Sequence, residues 1–530
     1  MPLFHILSPH ARLIEKNYYL KPDDWNDWFK FKTQYKLLFV ENGILKSIGM
    51  VKIGQKGLGV NDEKQANIYA SPNLPEEFEK LSDDFISIGQ EEDYYSYLGK
   101  MPETREVLMA LRDCAYSKEI QEAFKNELVY FDSLMRFIDS NKLELFNNLA
   151  YGNAKNTRFC FDFKYDEMTK VKYADESDGI AFTVTPNQMP PENIHAVIGS
   201  NGVGKTFLLG KIMEELYNTA LKKEKNQLPF ILSANHKHLP FSRVVFVSFS
   251  NFDKPPEIYR TKFLQFQYIG YSSTEEKLDN SSNSQCKYET AQKNEEACCE
   301  QFEANEQMIS KQLLASRFAE SLTNCYNNSV KWERILTLFD IFKYDSRLHL
   351  VIGKILTVED ENELKKLAQE EFKQLSSGHS ILLLIISRLV ELVEQRTLVL
   401  IDEPEAHLHP PLLSAFMRSL SWLLSNRNAM AIVVTHSPVV LQEVPRKCVW
   451  IIERPEENSV KVKKPKIETF GENIGILMNE IFKLEISKTG YVALISKFVE
   501  KYNKNYQEIL EQFGNALGDE AKAILFSMCN

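Results

Sequence analysis

The sequence lacks several features that would place a protein outside the ordinary intracellular globular class. Its eight cysteines are scattered over 530 residues, only Cys298 and Cys299 are adjacent, and there is no C-x-x-C pair or zinc-ligand spacing. This pattern favours reduced thiols in a cytoplasmic protein. The N-terminus has no basic segment followed by an apolar stretch, so we expect no secretory signal. The longest aliphatic run, Ile381 to Ile386, is far shorter than the roughly 20 residues that a membrane-spanning helix needs.

An excess of positive charge is also missing. The chain carries 63 Lys and Arg against 73 Asp and Glu, which gives a net charge of −10, and 44% of its residues are hydrophobic. These values exclude a wholly disordered chain, a collagen-like repeat and a basic nucleic-acid coat protein. A local DNA-binding surface remains compatible with them because net charge averages over all faces.

Changes in residue pattern divide the chain into five predicted regions. Residues 151–260 and 361–470 contain β-branched strands alternating with helical segments, which predicts an α/β fold with a mixed, mostly parallel sheet. Residues 1–150 predict an additional N-terminal α/β unit. Residues 261–360, with a polar stretch, predict a helical insertion between the two lobes. Residues 471–530 predict a helical C-terminal region.

The N-terminal region contains an acidic stretch around Asp93, Tyr94 and Tyr95. Such stretches usually form a solvated helix face, and we expect that here rather than a functional site. The polar residues 272–303 are almost free of aliphatic side chains, which predicts a mobile loop or solvated arm.

The most specific motif follows the strand-like run His195 to Ile198. It fits the pattern G-x-x-x-x-G-K-[ST], stands between a predicted strand and a predicted helix, and reads Gly199, Ser200, Asn201, Gly202, Val203, Gly204, Lys205, Thr206. In such a loop the glycines let backbone N–H groups surround phosphates, and the helix N-terminus favours negative charge. Lys205 is then in a position to reach the β- and γ-phosphates, and the Thr206 hydroxyl to bind Mg²⁺. The motif predicts a nucleotide-binding site.

A second acidic motif ends the apolar run Leu398 to Ile401. Asp402 and Glu403 follow it directly. A buried strand delivers its last residues to the carboxyl edge of the sheet, where nucleotides bind in such folds. Asp402 is therefore a candidate Mg²⁺ ligand, and Glu403 is a candidate base that polarises an attacking water.

The segment from Leu375 to Ser380, Leu-Ser-Ser-Gly-His-Ser, resembles the signature of ABC-type ATPases, usually written LSGGQ or LSSGQ. It precedes the Asp402 strand, as it does in that family. Glu405 to Pro410 resembles the D-loop of the RecF, OLD and SMC branch. The isolated His436 after the next strand matches the family's switch histidine.

This resemblance implies an ABC-type ATPase head with ATP and Mg²⁺ as cofactors. In that family two heads sandwich two ATP molecules, each between one head's phosphate loop and the other head's signature. Ser376, Ser377 and Gly378 would then contact a γ-phosphate bound by a second copy. His436 would sense that phosphate and Glu403 would act as general base. The head dimer would open and close with its nucleotide state.

Two positions depart from the family pattern. His379 replaces the usual glutamine of the signature. The glutamine expected after the strand that ends near Val247 is also missing, since Ser248, Phe249, Ser250 and Asn251 stand there. We therefore expect either slow hydrolysis or an ATP that acts mainly as a bound ligand, and a scaffold that binds ATP without turnover stays open as an alternative.

The lengths of two segments reduce the number of ABC-type ATPase branches that this chain resembles. The stretch between Thr206 and Leu375 is too short for the long coiled coil of SMC proteins. The mainly helical stretch after His436 has no D-x-D cluster, so we expect no nuclease domain in this chain. The pattern looks like the PtuA-like ATPase subunit of Septu-type or retron-associated anti-phage systems. That resemblance implies a partner HNH nuclease and, in retron versions, a reverse transcriptase with its small DNA.

A RecF-like repair ATPase that binds DNA directly is the alternative function. Basic residues between Val460 and Ile467 are candidates for contact with DNA phosphates, although a solvated hairpin arm is the simpler interpretation. His407 and His409 have metal-like spacing, as do His236 and His238. We expect structural roles for both histidine pairs.

Overall fold

The structure is a computed structural model. It describes residues 2–8, 13–23, 31–59, 70–136, 138, 140–152, 158–163, 170–173, 179–200, 202–224, 241–249, 264–270, 311–358, 360–456, 459–486, 490–514 and 516–529. The polar stretch 272–303 lies outside the described residues, so the prediction made for it stays a prediction. No helix in the described ranges is both long enough and apolar enough to cross a membrane.

The N-terminal region forms a sheet covered by short helices. Its strands are β1 (Phe4–Ile6), β2 (Tyr18–Pro22), β3 (Gln34–Glu41), β4 (Ile44–Gln55), β5 (Glu77–Phe78) and β6 (Phe85–Gly89), in the order β5-β1-β2-β3-β4-β6. Its helices are α1 (Glu92–Leu98), α2 (Thr104–Ala110), α3 (Lys118–Phe124) and α4 (Ser140–Ala150), with a π-helical turn at Tyr130–Leu134. Apolar side chains of the sheet and these helices share one core.

The larger sheet carries the predicted nucleotide motifs. Its strands are β8 (Lys170–Tyr173), β10 (Ile194–Ile198), β11 (Arg243–Ser248), β12 (Gln265–Ile269), β13 (Thr397–Asp402), β14 (Met430–Thr435), β15 (Val449–Glu456) and β16 (Ser459–Lys463). The order is β12-β11-β13-β14-β10-β15-β16-β8, and every pairing is parallel except β15 with β16. The predicted α/β fold with a mixed, mostly parallel sheet is confirmed.

Alternate side chains of the central strands enter two different cores. Along β13, Leu398 and Leu400 face one side of the sheet, together with α5 (Lys205–Glu224) and the small sheet of β7 (Phe159–Phe163) and β9 (Ile180–Val184). Val399 and Ile401 face the other side, where a layer of helices packs. The strand is buried along its whole length because both faces are covered.

The helical layer includes the segment between the two lobes and the helices around the signature. These helices are α6 (Lys311–Tyr326), α7 (Ser329–Ile341), α8 (Ser346–Leu356), α9 (Glu361–Gln374), α10 (Ser377–Leu392), α11 (Pro410–Asn426), α12 (Pro438–Leu441) and α13 (Ile474–Ile486), with 3-10 turns at Pro404–Ala406 and Arg446–Cys448. Three further helices, α14 (Gly490–Lys501), α15 (Tyr506–Gln512) and α16 (Asp519–Cys529), form a small core of their own at the C-terminal end of the described chain.

The acidic stretch at the start of α1 is buried between the N-terminal region and the larger sheet's helices. Glu92 accepts a hydrogen bond from Arg427 at 2.6 Å, and Asp93 accepts bonds from Arg427 at 3.1 Å and from Arg334 at 2.7 Å. Burial acts to raise the pKa of Asp93, but the two guanidinium groups outweigh it and hold the pKa below its usual range. The prediction of a solvated helix face is therefore wrong, because the two arginines that compensate these charges lie far away in the sequence.

Candidate functional site

Four parallel strands end side by side at the carboxyl edge of the larger sheet. The strand register pairs Ser248 of β11 with Asp402 of β13, Asp402 with Val434 of β14, and Thr435 with Ile198 of β10. The loops that leave this edge carry the phosphate-loop motif, Glu403 and His436. The fold thus brings the phosphate loop and residues about two hundred positions later in the sequence to one edge.

The phosphate loop connects β10 to α5 and has the backbone that the motif requires. Gly202 and Gly204 have φ angles of +79° and +98°, which residues other than glycine rarely adopt. A Cβ on Gly199 would collide with the carbonyl oxygen of Ile452 on β15. The loop is thereby fixed against the sheet on one side and open on the other, where Ser200 is partly exposed and Gly202 and Thr206 are exposed.

Lys205 is the buried cation of this loop. Its side chain is almost fully covered, and its Nζ donates to the carbonyl oxygens of Gly199 and Ser200, both at 3.0 Å. The ammonium group therefore lies inside the curve of the loop. Val203 packs into the core beneath it, which anchors the loop to α5. Asn201, the remaining member of the motif, lies outside the described residues.

The acidic pair at the end of β13 has two different environments. Asp402 is the last residue of the strand and is buried, whereas the Glu403 side chain is 38% exposed. Glu403 has a left-handed backbone with a φ of +44°, and its N–H donates to the Val434 carbonyl at 3.0 Å. A left-handed conformation is uncommon for a glutamate, and such outliers are frequent at functional sites.

His436 is held at the same edge by a carboxylate that sequence reasoning did not assign to it. Glu405 Oε1 accepts hydrogen bonds from the Thr435 hydroxyl at 2.7 Å and from the His436 N–H at 2.6 Å. The imidazole Nδ1 lies 3.2 Å from the same oxygen and 3.6 Å from Glu403 Oε1. Glu405 therefore positions the histidine beside the candidate base. Its place in the D-loop motif was the only sequence signal for it.

The signature segment opens α10 and is exposed to solvent at Ser376 and Ser377. Ser376 is the N-cap, and its Oγ accepts from the His379 N–H at 3.4 Å. A Cβ on Gly378 would lie 2.5 Å from the carbonyl oxygen of His407. Only glycine fits at this position, because the D-loop segment of the same chain packs directly against the signature.

His379, the residue that replaces the family's glutamine, is fixed by hydrogen bonds on both ring nitrogens. Its Nδ1 lies 2.8 Å from Ser376 Oγ, and its Nε2 lies 3.2 Å from Asp345 Oδ2. Asp345 caps the N-terminus of α8, and sequence reasoning did not single it out. Its signal is an acidic residue directly before a helix, which is too common to identify a site.

The missing glutamine after β11 is replaced by a core residue. Phe249 is fully buried and packs edge-on against Phe416 of α11 with ring centroids 5.5 Å apart. The chain therefore places an apolar side chain in the core where the family has a polar one. The neighbouring Ser250 and Asn251 lie outside the described residues, as do His236 and His238.

The groups at this edge fit a nucleotide with its magnesium ion. Lys205 supplies a cation inside a loop whose positive-φ glycines allow backbone N–H groups to turn inward. The Thr206 hydroxyl and the Asp402 carboxylate are oxygen donors, which Mg²⁺ prefers. Glu403 and His436 are polar groups without a role in the apolar core, and both are partly exposed at the rim.

One family model covers part of this arrangement. The family described as "AAA domain, putative AbiEii toxin, Type IV TA system" matches residues 326–442, which contain the signature, Asp402, Glu403 and His436. A solved structure described as "An inward-facing conformation of a putative metal-chelate type ABC transporter" covers 62% of this chain and 90% of its own, with 15% identity and a TM-score of 0.28. Similarity at that level says nothing about activity.

Taken with the strand order and the phosphate loop, the family match supports an ATPase domain of the P-loop class. Protein ea59 of Escherichia phage lambda is 33% identical to this chain over 535 residues, covering 97% of this chain and 95% of the phage protein. Identity of this extent over nearly the whole of both chains shows common ancestry, and the chain therefore belongs to the family of protein ea59 of phage lambda.

Proposed function

We propose that the protein binds and hydrolyses ATP in a head-to-head dimer, and that the nucleotide state of the dimer controls a partner nuclease. The observation that supports this most directly is the single sheet edge shared by Lys205, Asp402, Glu403 and His436. The exposed Ser376 and Ser377 at the start of α10 are available to a second copy.

Each residue at the edge has a defined task in this proposal. The backbone of residues 199–204 and the Lys205 ammonium bind the phosphates of ATP, and Thr206 and Asp402 hold Mg²⁺. When bound, the metal offsets the negative charge that gathers on the phosphates during transfer. Glu403 accepts the proton of the attacking water. Its exposed carboxylate and its fixed backbone leave it free to face that water.

His436 responds to the γ-phosphate. Its imidazole lies between Glu403 and Glu405, so an anion that arrives in front of it competes for its Nδ1 proton. Ser376, Ser377 and Gly378 of a second copy complete the contact to that phosphate. Loss of the γ-phosphate removes this contact and weakens the dimer. His379 and Phe249 depart from the residues of ABC-type ATPases, which supports slow ATP turnover. Slow turnover suits a protein that changes state with its bound nucleotide.

The partner in this proposal is an HNH nuclease subunit, with a reverse transcriptase and its small retron DNA in some systems. Support comes from the resemblance to PtuA-like ATPases and from the matching family, whose description names a toxin of a Type IV toxin–antitoxin system. Both point to a role in conflict between phage and host rather than in metabolism.

Direct DNA binding through the basic residues between Val460 and Ile467 has less support. Lys463 forms an ion pair with Glu453, Lys461 lies 4.0 Å from the same carboxylate, and the Lys464 Nζ sits 3.4 Å from the centre of the Trp450 ring. These lysines already have partners within the chain, and β16 is an internal strand of the sheet. This surface therefore gives the RecF-like alternative less support.

The test is to tag the protein at its native locus, purify it in ATP and Mg²⁺, and identify what remains bound. Glu403→Gln serves as the trapped form, because it should hold ATP and keep the complex closed. We expect a small HNH protein, enriched with the variant relative to wild-type protein. Recovery of the chain alone, or together with recombination proteins on DNA ends, would contradict the nuclease-partner proposal.

A further inference from the structure

Three potential metal ligands meet beside the signature, outside the nucleotide edge. Asp345 stands before α8, His379 lies in the first turn of α10, and His409 stands before α11. One ligand-type atom from each residue lies within 4.8 Å of the other two. The three residues lie at the starts of three separate helices, so the tertiary fold and not local sequence creates the cluster.

Asp345 is oriented as a ligand that uses one oxygen. Its Oδ1 accepts hydrogen bonds from the backbone N–H groups of Arg347 at 3.0 Å and Leu348 at 2.9 Å. These two bonds fix the plane of the carboxylate. The other oxygen, Oδ2, is directed toward His379 Nε2 at 3.2 Å.

His379 has the second hydrogen bond that metal-binding histidines usually make. Its Nδ1 lies 2.8 Å from Ser376 Oγ, so a proton on Nδ1 leaves the Nε2 lone pair facing Asp345. In a tetrahedral site with metal–ligand distances of about 2.0–2.1 Å, neighbouring donor atoms lie about 3.3 Å apart. The observed 3.2 Å between Nε2 and Oδ2 matches such an edge.

The presence of His409 distinguishes a potential metal site from a hydrogen bond between Asp345 and His379 alone. It is exposed, and its side chain makes no capping bond to α11. The Asp345–His379 pair needs no third member to be stable as a hydrogen bond. A third ligand within reach of the pair, here the second imidazole, is what a metal ion requires.

We propose that Asp345, His379 and His409 bind one divalent cation of the zinc class, with water or a partner's side chain in the fourth position. Two imidazoles and one carboxylate suit Zn²⁺ and its substitute Co²⁺, whereas Mg²⁺ prefers oxygen ligands. The ion would join the signature to the start of α11 within one chain. The expectation of a structural role for both His407 and His409 would then hold for His407 alone.

The experiment measures Co²⁺ and Zn²⁺ binding to tag-free, chelator-treated protein without nucleotide, so that it does not depend on ATP binding or turnover. Tetrahedral Co²⁺ gives visible absorption bands, and Zn²⁺ should displace it. We expect one tight site per chain in wild-type protein. His409→Gln and Asp345→Asn should weaken Co²⁺ binding at least about tenfold.

His349→Gln is the matched control, since His349 is an exposed histidine of α8 one turn from Asp345, and it should bind Co²⁺ like wild-type protein. His409→Gln is expected to fold normally because its side chain is exposed, and circular dichroism checks this. Unchanged Co²⁺ affinity in folded His409→Gln, or the absence of a stoichiometric tight site in wild-type protein, would overturn the proposal.

Discussion

Gly378 of the signature and His407 of the D-loop segment are packed so closely that a Cβ on the glycine would lie 2.5 Å from the histidine's carbonyl oxygen. The two segments thus form one surface within a single chain. A change in the position of one must move the other.

This contact predicts the effect of Gly378→Ala. The added methyl group should push the D-loop segment away, reduce stability by about 1–3 kcal/mol and weaken ATP-dependent dimerisation. Light scattering with and without ATP measures the dimer, and urea unfolding measures the stability. Gly353→Ala on α8 is the control, because its Cβ would meet nothing within 4 Å and helix propensity should stabilise it by up to about 1 kcal/mol. Normal dimerisation by Gly378→Ala would contradict the role of this contact.

The Lys205→Ala variant should lose ATP binding. Removing two charge-assisted hydrogen bonds to phosphate costs about 3 kcal/mol, which is roughly a 100-fold weaker affinity. Calorimetric titration with ATP and Mg²⁺ measures this. Lys211→Ala on the same helix is the control, since Lys211 is partly exposed and forms an ion pair with Glu214 at 2.8 Å. Normal ATP affinity in Lys205→Ala would contradict the assignment of residues 199–206 as a phosphate-binding loop.

The Glu403→Gln variant should bind ATP normally but hydrolyse it about 10²- to 10⁴-fold more slowly, because the amide cannot accept the proton of water. Phosphate release measures turnover, and the ATP titration measures binding. Glu511→Gln, an exposed position on α15, should match wild-type protein in both. Unchanged turnover in Glu403→Gln would show either another base or an ATPase that does not use this edge.

The Arg427→Leu variant should lose about 3–5 kcal/mol of stability, because it leaves the buried Glu92 without its cation. Adding Glu92→Gln should restore part of the loss, since Asp93 keeps its bond to Arg334. Chemical unfolding measures each variant. Lys125→Ala breaks only an exposed pair with Glu122 and should change little. A small loss of unfolding free energy in Arg427→Leu would mean that water reaches Glu92 and Asp93.

His195 predicts a pH effect with a defined sign. Burial, with the charge of Lys464 as the second cause, lowers the pKa of His195 from 6.5 to about 3 in the folded protein. Below about pH 6.5 the unfolded chain takes up a proton that the folded chain excludes, so unfolding becomes easier as pH falls toward 3. This contribution to stability is complete above pH 6.5.

The measurement is the difference in unfolding free energy between wild-type protein and His195→Phe across pH 7.5 to 5. Other titrating groups cancel in this difference, including Asp113, whose pKa burial raises to about 7. Wild-type protein should lose stability relative to the variant as the pH falls. A flat difference for His195→Phe would show that His195 titrates normally.

The larger sheet was predictable because its signals are local. The strand runs that end at Ile198, Val247, Ile401 and Thr435 were readable from their β-branched, apolar composition, and their carboxyl ends meet as parallel strands require. The phosphate-loop motif marks its own strand and helix. The residues of this motif predict phosphate binding as well as a strand–loop–helix conformation.

Contacts between distant segments were not predictable. Asp93 looks like part of a solvated acidic face until Arg427 is placed beside it, and Asp345 looks like an ordinary helix cap until His379 and His409 are placed near it. Glu405 belonged to a recognised motif, but its hydrogen bond with the His436 N–H depends on how β13 and β14 align. Charge and hydrogen-bonding partners far apart in the sequence leave no local pattern.

Helix α11 has its two ends in different parts of the molecule. Its 17 residues span about 25 Å. His409 precedes it beside the signature, and Arg427 follows it inside the acidic cluster of the N-terminal region. If the helix moves as a rigid rod, a tilt of about 10° at the signature end displaces the arginine by about 4 Å. A movement of the signature segment would therefore be transmitted through α11 to the N-terminal region.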